Sequence, residues 1–489
     1  MATPNMNQRR AIEMAVSGRN MWLLGPAGTG KTFVIKCIVD ALVAMGKIVA
    51  KTAMTGAAAS NLEDATTLHR YTGTGTESLK MHLSNFVKSS ETISEKQKEK
   101  LRSTHVLIID EGGMLATDQF QHLDEFLRNI RKNPSKLCGG MQIILVGDIA
   151  QIPPVDATAG VGTQREERIP MTSIFSYPDD DRWRCVVLNE FMRSAEDPCL
   201  QQISLALIDP DPQVRKLAIE LLNKKCYDPD IISNSADVIE QARLRGALII
   251  TPTNGKVDHY VAVEGSMTSE PRISLQRPTK LYSLSSLTAA QIAAAGGIGG
   301  IEREDKEIRE RGTFKDAVDL FPGQQVQIRM NSGIDAPTPY YNGEICIFLG
   351  MEEESALLRR CKDDVTLRVG LCEHKTEYEE DVGKIGYLAY PIIPAIATTL
   401  HKVQGQTLDG CIVDPSGLRV FGKFIPNMIF VAVTRVRSCS KLLLTEPIAA
   451  DLLTGKELQD KLESLWGIDF MAAYRRASKD KLEGYLAAA

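Results

Sequence analysis

The run GPAGTGKT at residues 25–32 constrains the local backbone more than any other stretch of this chain. It lies between the apolar run MWLL (21–24) and FVIKCIVDALVAM (33–45), whose apolar positions recur at helical spacing. Glycines at 25, 28 and 30 let successive backbone N–H groups turn toward a polyphosphate, Lys31 adds a point charge near its outer phosphates, and Thr32 offers a hydroxyl to Mg²⁺. The cradle Gly25, Pro26, Ala27, Gly28, Thr29, Gly30, Lys31 and Thr32 is thus predicted to join a strand to a helix N-terminus, as parallel α/β folds require.

The following residues continue that pattern. Strand-length apolar runs at 48–52, 106–109 and 141–146 alternate with helix-like stretches such as 118–130, which predicts a parallel sheet covered by helices. VLIIDE (106–111) ends a buried strand on two acids: Asp110 is placed to hold Mg²⁺ and Glu111 to act on an attacking water. IILVGDIAQIPPV puts Asp148 and Gln151 at another strand's C-terminal end, where open parallel sheets bind ligands and where Gln151 could reach the γ phosphate.

A polar, lysine- and glutamate-rich segment at about 74–102 interrupts the alternation and reads as an inserted helical element. Strand-like runs at 186–188, 247–251, 395–399, 411–413, 428–433 and 441–444 then predict a second α/β lobe. Between them, residues from about 265 to 394 carry AAAGGIGG, the charge run IEREDKEIRERG and short strand-like pieces at 325–329 and 345–349, which read as an inserted, largely β module.

With 43% hydrophobic and 24% charged residues over 489 positions, the chain can bury several cores. No apolar stretch reaches the roughly 18–20 residues of a bilayer span, and residues 1–10 are polar, so a soluble, intracellular protein without membrane contact is expected. The net charge of −5 neither favours nor excludes nucleic acid. Ten cysteines occur without a CxxC pair, and Cys372 with His374 does not make a zinc set, so reduced thiols are expected.

Taken in order, NQRRAIEMAVSGRNMWLLGPAGTGKT, TAMTGAAASNLEDATTLHRYTG, LIIDEGGM, ILVGDIAQIPPV, IITPTNGKVD, GQQVQIRMNS, YYNGEI, TTLHKVQGQTL and FVAVTRVRS resemble the motifs of Pif1-like helicases of superfamily 1B, with RecD-like and Dda-type enzymes as relatives. The resemblance implies an α/β protein of two RecA-like parallel-sheet lobes. The first spans 1–185 with an inserted element at 74–102, and the second spans 186–264 and 395–489 around an SH3-like subdomain at 265–394. It implies ATP and Mg²⁺ as cofactors, single-stranded DNA and single-strand/duplex junctions as partners, and 5′-to-3′ movement that unwinds duplex DNA. A monomer would suffice for this. Replication, recombination and repair are the processes such an enzyme serves.

Carried over residue by residue, Gln8 matches the glutamine that reads the adenine edge, and Lys31, Thr32, Asp110, Glu111 and Gln151 keep the roles derived above. Arg193 and Arg435 match two arginines presented to the γ phosphate, where they make hydrolysis depend on lobe closure. Thr55, His69, Asn254, His401 and Lys402 match positions that contact the DNA strand, and their short polar groups suit sequence-independent contacts.

The chain departs from the family pattern at Ser194, which follows Arg193 where glutamine is usual, at Thr66, and at Gly112 and Gly113, which are expected to leave the turn after the acids less constrained. Phe86 is a candidate strand-separating aromatic. An RNA helicase or RNA-stimulated translocase of the same superfamily would share the ATP site. A non-motor switch would need only the first lobe.

Overall fold

The computed structural model describes residues 3–59, 62–73, 93–148, 150–154, 183–190, 192, 197–209, 211–275, 279–280, 289, 292, 298–299, 318–330, 332, 338–340, 343–361, 363–377, 384–453 and 478–489. These form two compact units, Met1–Asn254 with Thr399–Ala489, and Gly255–Thr398. Arg193, Ser194, Phe86, Tyr341 and most of the glycine-rich and charged run at 293–312 lie outside the described residues.

The first unit opens on a helix, Met6–Val16, closed at its N-terminus by a capping box between Asn5 and Gln8. A six-stranded sheet follows, built from β1 (Met21–Leu24), β2 (Val49–Ala53), β3 (Thr66–Thr67), β4 (Val106–Asp110), β5 (Gln142–Gly147) and β6 (Arg184–Val187). Its order is β3-β2-β4-β5-β1-β6 and every pairing is parallel. Because side chains alternate along a strand, the sheet feeds two cores. Trp22, Leu107, Ile109, Ile143 and Leu145 pack with Phe120, Phe126 and Leu127 of the helix Thr117–Ile130 on one face. Met21, Leu23, Ile108, Ile144 and Val146 pack with Val34, Ile35 and Ile38 of the helix Lys31–Ala44 on the other.

Two expectations are corrected here. The strand expected to open the second lobe at 186–188 is β6, which pairs with β1 from Met21↔Arg184 to Leu24↔Val187 and so closes the edge of the first sheet. Hydrophobic patterning marks a strand but not its partner, so the sequence could not assign it. The run at 428–433, read as a strand, lies in the helix Ile425–Val433, and every residue from Met428 to Val433 is buried. A short apolar run buried on all sides carries no periodicity that distinguishes helix from strand. Within the segment at 74–102, the described part ends in the helix Glu95–Ser103, capped by Ser94.

The second lobe of this unit starts with the helices Pro198–Ala206, Pro212–Cys226 and Ser235–Arg245 and the strand β7 (Leu248–Thr251).

The second unit is mostly antiparallel. Its strands are β8 (Ile273–Leu275), β9 (Thr279–Lys280), β10 (Val318–Leu320), β11 (Gln325–Ile328), β12 (Ile345–Glu352), β13 (Ser355–Arg360), β14 (Thr366–Val369), β15 (Cys372–Glu377), β16 (Lys384–Ala389) and β17 (Ile392–Pro394). Five of them form a sheet in the order β14-β13-β12-β11-β17. Buried and open positions alternate along β13 and β14, and Val326, Ile328, Phe348, Leu358 and Leu367 build a core of this unit's own.

The chain re-enters the first unit after β18 (Ala397–Thr399) through the short helix Leu400–Val403, then β19 (Cys411–Val413), the helix Ile425–Val433 and β20 (Leu442–Leu444). β7, β19 and β20 run parallel. Among the described residues no helix is long and apolar enough to cross a membrane.

Candidate active site

The site grows from the C-terminal ends of β1, β4 and β5. Gly25 N donates to Gly147 O (3.2 Å), and a Cβ on Gly25 would lie 2.6 Å from Thr29 Oγ1 and 2.9 Å from Leu188 O. A side chain there would force the loop off the strand. Gly28 and Gly30 have φ of +87° and +84°, a region L side chains rarely enter. The helix Lys31–Ala44 then begins without a side-chain cap, and its first amides, lacking intrahelical acceptors, suit an anion. Lys31 Nζ donates to Gly25 O (2.8 Å) and Pro26 O (3.1 Å), folding its ammonium over the loop, and Thr29 Oγ1 donates to Pro26 O (2.9 Å).

Ala27, Gly28, Gly30, Lys31 and Thr32 line a cleft of about 440 Å³. Asp110, Glu111 and Gln151 line it from the same lobe, and Gly405, Arg435 and Arg437 from the other. Asp110 and Glu111 are 7% and 6% exposed. Burial, then the neighbouring Glu111 charge, pushes Asp110 up to about 7. Burial also raises Glu111, against the pull of Lys31 and Arg435. A carboxylate held above its usual range is a better proton acceptor, which suits Glu111 to act on water. Thr32 and Asp110 offer the oxygen donors that a hard divalent cation takes.

Glu111 has φ +53°, which costs a non-glycine residue about 1–3 kcal/mol unless its surroundings fix it. Here Glu111 N donates to Asp110 Oδ1 (2.9 Å) and Glu111 O accepts from Met114 N (2.9 Å). The two glycines that follow tighten this turn, contrary to expectation. A Cβ on Gly112 would lie 3.3 Å from Val146 O, and one on Gly147 would lie 3.0 Å from Gly113 N. The turn therefore sits flush on β5, and its small residues permit that approach.

Gln151 is buried, and its Nε2 donates to Asp148 Oδ2 (3.4 Å). Gln8 is 3% exposed; its Oε1 accepts from Asn5 N (3.0 Å) in the capping box, and its Nε2 is 3.0 Å from the point a Cβ on Gly30 would occupy. The residue expected to meet the base thus also fixes the helix end against the phosphate loop. Arg435 is 0% exposed; it donates from Nε to Val431 O (2.7 Å), from one terminal nitrogen to Val403 O and Gln406 O (3.3 and 3.0 Å), and from the other to Thr434 Oγ1 (2.8 Å).

Four residues of the site were not singled out from the sequence. Gln404 hydrogen-bonds Glu111, while its own buried Oε1 has no partner among the described residues. Gly405 has φ +80°, and its Cβ would stand 2.8 Å from Glu111 Oε1. Both lie inside TTLHKVQGQTL, so the motif marked the segment but not the residues that reach the acids. Arg437 sits two places beyond Arg435 in the motif already noted. Asn427 Nδ2 donates to Ala150 O (2.8 Å) and Gln151 O (3.3 Å), joining the lobes, and nothing in its local sequence announces this.

Gly405→Ala is expected to displace the Glu111 carboxylate and lower ATP turnover by about 100-fold with little change in nucleotide affinity, since misplacing a reacting group by about 1 Å costs that much. Steady-state kinetics beside nucleotide titrations check this.

The residues matched to DNA contact lie just beyond the C-terminal ends of strands: Thr55 after β2, His69 after β3, Asn254 after β7, and His401 and Lys402 after β18. Thr55 Oγ1 accepts from Ala58 N (3.1 Å), Asn254 and Lys402 are exposed, and His401 packs on Phe421 with ring centroids 6.4 Å apart. Burial lowers His401 to about 4, so near pH 7 it presents a neutral ring. Protonation favours the unfolded chain, so the stability this residue contributes is present above about pH 6.5 and is lost as pH falls toward 4. Imidazole NMR is expected to show one histidine that does not titrate near 6.5, absent from His401→Asn.

Fold and cleft together define a P-loop nucleotide-binding protein of two RecA-like lobes. Residues 5–205 match the profile of the family described as PIF1-like helicase. The ATP-dependent DNA helicase PIF1 of Candida albicans is 25% identical over 500 residues, covering 88% of this chain and 53% of that protein, so the chain spans about half its length. The crystal structure of Pif1 helicase from Candida albicans superposes with a TM-score of 0.73 at 21% identity, covering 95% of this chain and 100% of that one. Pif1 helicase from Bacteroides, solved in complex with ADP-AlF3 and ssDNA, gives 0.66 at 21%, covering 96% and 98%.

Proposed function

We propose that this protein is an ATP- and Mg²⁺-dependent DNA helicase that moves 5′ to 3′ on single-stranded DNA and displaces the complementary strand. The observation that carries this reading is the two-sided cleft: Lys31, Asp110 and Glu111 come from one lobe and Arg435 from the other. Phosphoryl transfer is catalysed mainly by positioning and charge stabilisation, so a site completed by a second lobe links chemistry to lobe movement. The relatives named as ATP-dependent DNA helicases, and the Bacteroides protein held with a nucleotide analogue and ssDNA, support the same assignment.

In this reading the loop 25–32 cradles the phosphates, Gln8 meets the base, and Thr32 and Asp110 hold Mg²⁺, which supplies charge neutralisation when bound. Glu111 orients and deprotonates the attacking water, Gln151 reports the γ phosphate, and Arg193 and Arg435 stabilise the charge that develops on it. Thr55, His69, Asn254, His401 and Lys402 grip the strand. The region 74–102 acts as an accessory element of the first lobe, and the β unit corresponds to the SH3-like subdomain at 265–394. The chain works in a soluble intracellular compartment, as a monomer.

Duplexes bearing only a 5′ or only a 3′ single-stranded tail test this reading in the presence of ATP and Mg²⁺. Unwinding confined to the 5′-tailed substrate is expected, and unwinding from the 3′ tail alone would overturn the polarity. ATPase stimulation by DNA and RNA strands of equal length separates the DNA enzyme from an RNA translocase.

A further inference from the structure

Away from the cleft, Asp197, Cys199 and Cys439 bring a carboxylate oxygen and two sulfurs within 4.8 Å of one another. We propose that these three side chains form a site for a thiophilic divalent cation of the zinc class.

Two segments supply the three residues. Asp197 caps the helix Pro198–Ala206, Cys199 lies in that helix's first turn, and Cys439 opens the short turn Cys439–Lys441, four positions past Arg435. A third thiol, Cys226, ends the helix Pro212–Cys226 and donates to Cys439 O (3.8 Å). Cys439 hydrogen-bonds both Cys199 and Cys226 through its sulfur.

The carboxylate is also held in place: Asp197 Oδ1 accepts from Leu200 N (2.9 Å) and Oδ2 from Cys439 N (2.8 Å), each oxygen keeping a lone pair. Backbone bonds of this kind orient a ligating carboxylate from behind. With zinc–sulfur bonds of about 2.3 Å and zinc–oxygen bonds of about 2.0–2.2 Å, the edges of a tetrahedron are roughly 3.5–3.8 Å, so closing on an ion needs shifts of about 1 Å. All three ligand residues are partly exposed, giving an ion a way in and leaving a fourth position for water. Two sulfurs select a soft or borderline ion over Mg²⁺, which separates this site from the oxygen donors of the cleft. Binding replaces the two S–H protons, which pass to the buffer. An ion here would clasp the segment that follows Arg435 to the start of the helix Pro198–Ala206.

The test uses the full chain, reduced and metal-free, without nucleotide. Titration with Co²⁺ is expected to give thiolate charge-transfer bands and tetrahedral d–d bands saturating at one equivalent. Zn²⁺ should displace the cobalt, with proton release and a rise in Tm. Cys199→Ser and Cys439→Ser should each weaken binding by about 100-fold or more, and Cys37→Ser should leave it unchanged. Circular dichroism confirms that each variant is folded. Absence of charge-transfer bands in the wild-type chain, or their persistence when Cys199 and Cys439 are both serine, would overturn the proposal.

Discussion

Arg435→Ala is expected to bind ATP nearly as well as the parent and to lose about 10³-fold or more of its DNA-stimulated ATP turnover, the scale on which arginines supplied to a γ phosphate act. The guanidinium is fully buried in the cleft wall and is held by the carbonyls of Val403, Gln406 and Val431 and by the Thr434 hydroxyl. Removing it takes a positive charge away from Glu111 and strips a donor from the Gln406 carbonyl, at about 1–3 kcal/mol for a buried acceptor left unpaired, while Val403 O keeps its bond from Gln406 N. Arg435→Lys separates the two effects. A lysine keeps the charge beside Glu111 but cannot reproduce the forked donors, so it should leave most of the stability loss in place, and whatever rate it recovers measures the charge alone. Turnover unchanged in Arg435→Ala, measured with saturating single-stranded DNA, would remove this residue from the chemistry.

Glu111→Gln should lower turnover by about 10²–10⁴-fold, the usual contribution of a positioned general base, while keeping nucleotide and DNA binding. The same substitution should make the protein more stable at neutral pH. Burial raises the pKa of Glu111 in the folded state, so its charged form opposes folding. That penalty is absent below the carboxyl's unfolded value and grows as pH rises through it. Thermal melts should therefore show Glu111→Gln above the parent at pH 7 and level with it near pH 4. Asp110, relieved of a neighbouring charge, should titrate lower in the variant. A variant that is inactive yet no more stable at pH 7 would mean that Glu111 is not the strained, desolvated base described above. Activity retained in Glu111→Gln would dismiss its role outright.

The first lobe was readable because its signals are local. The loop 25–32 needs a strand before it and a helix after it, and β1 and the helix Lys31–Ala44 stand there; the acids follow an apolar run that forms β4. Pairing and packing were less legible. β6 looks the same in sequence whichever sheet it joins, and the helix Ile425–Val433 is so uniformly buried that its apolar run reads equally well as a strand. Contacts made by folding leave almost no local trace. Gln404 and Gly405 reach Glu111 across the cleft, Asn427 binds backbone carbonyls some 276 positions away, and the cysteines at 199, 226 and 439 meet without any short spacing to advertise them.

The helix Ile425–Val433 has one further consequence. Near its start Asn427 grips the backbone beside Gln151, and just past its end stands Arg435, roughly 12 Å farther along the axis at 1.5 Å per residue. A rod that short scarcely bends. Under the function proposed above, a shift of the backbone at Gln151 would pass through this rod to Arg435 on the other wall of the cleft, and loss of a phosphate would be felt at both ends of the lever in a single stroke.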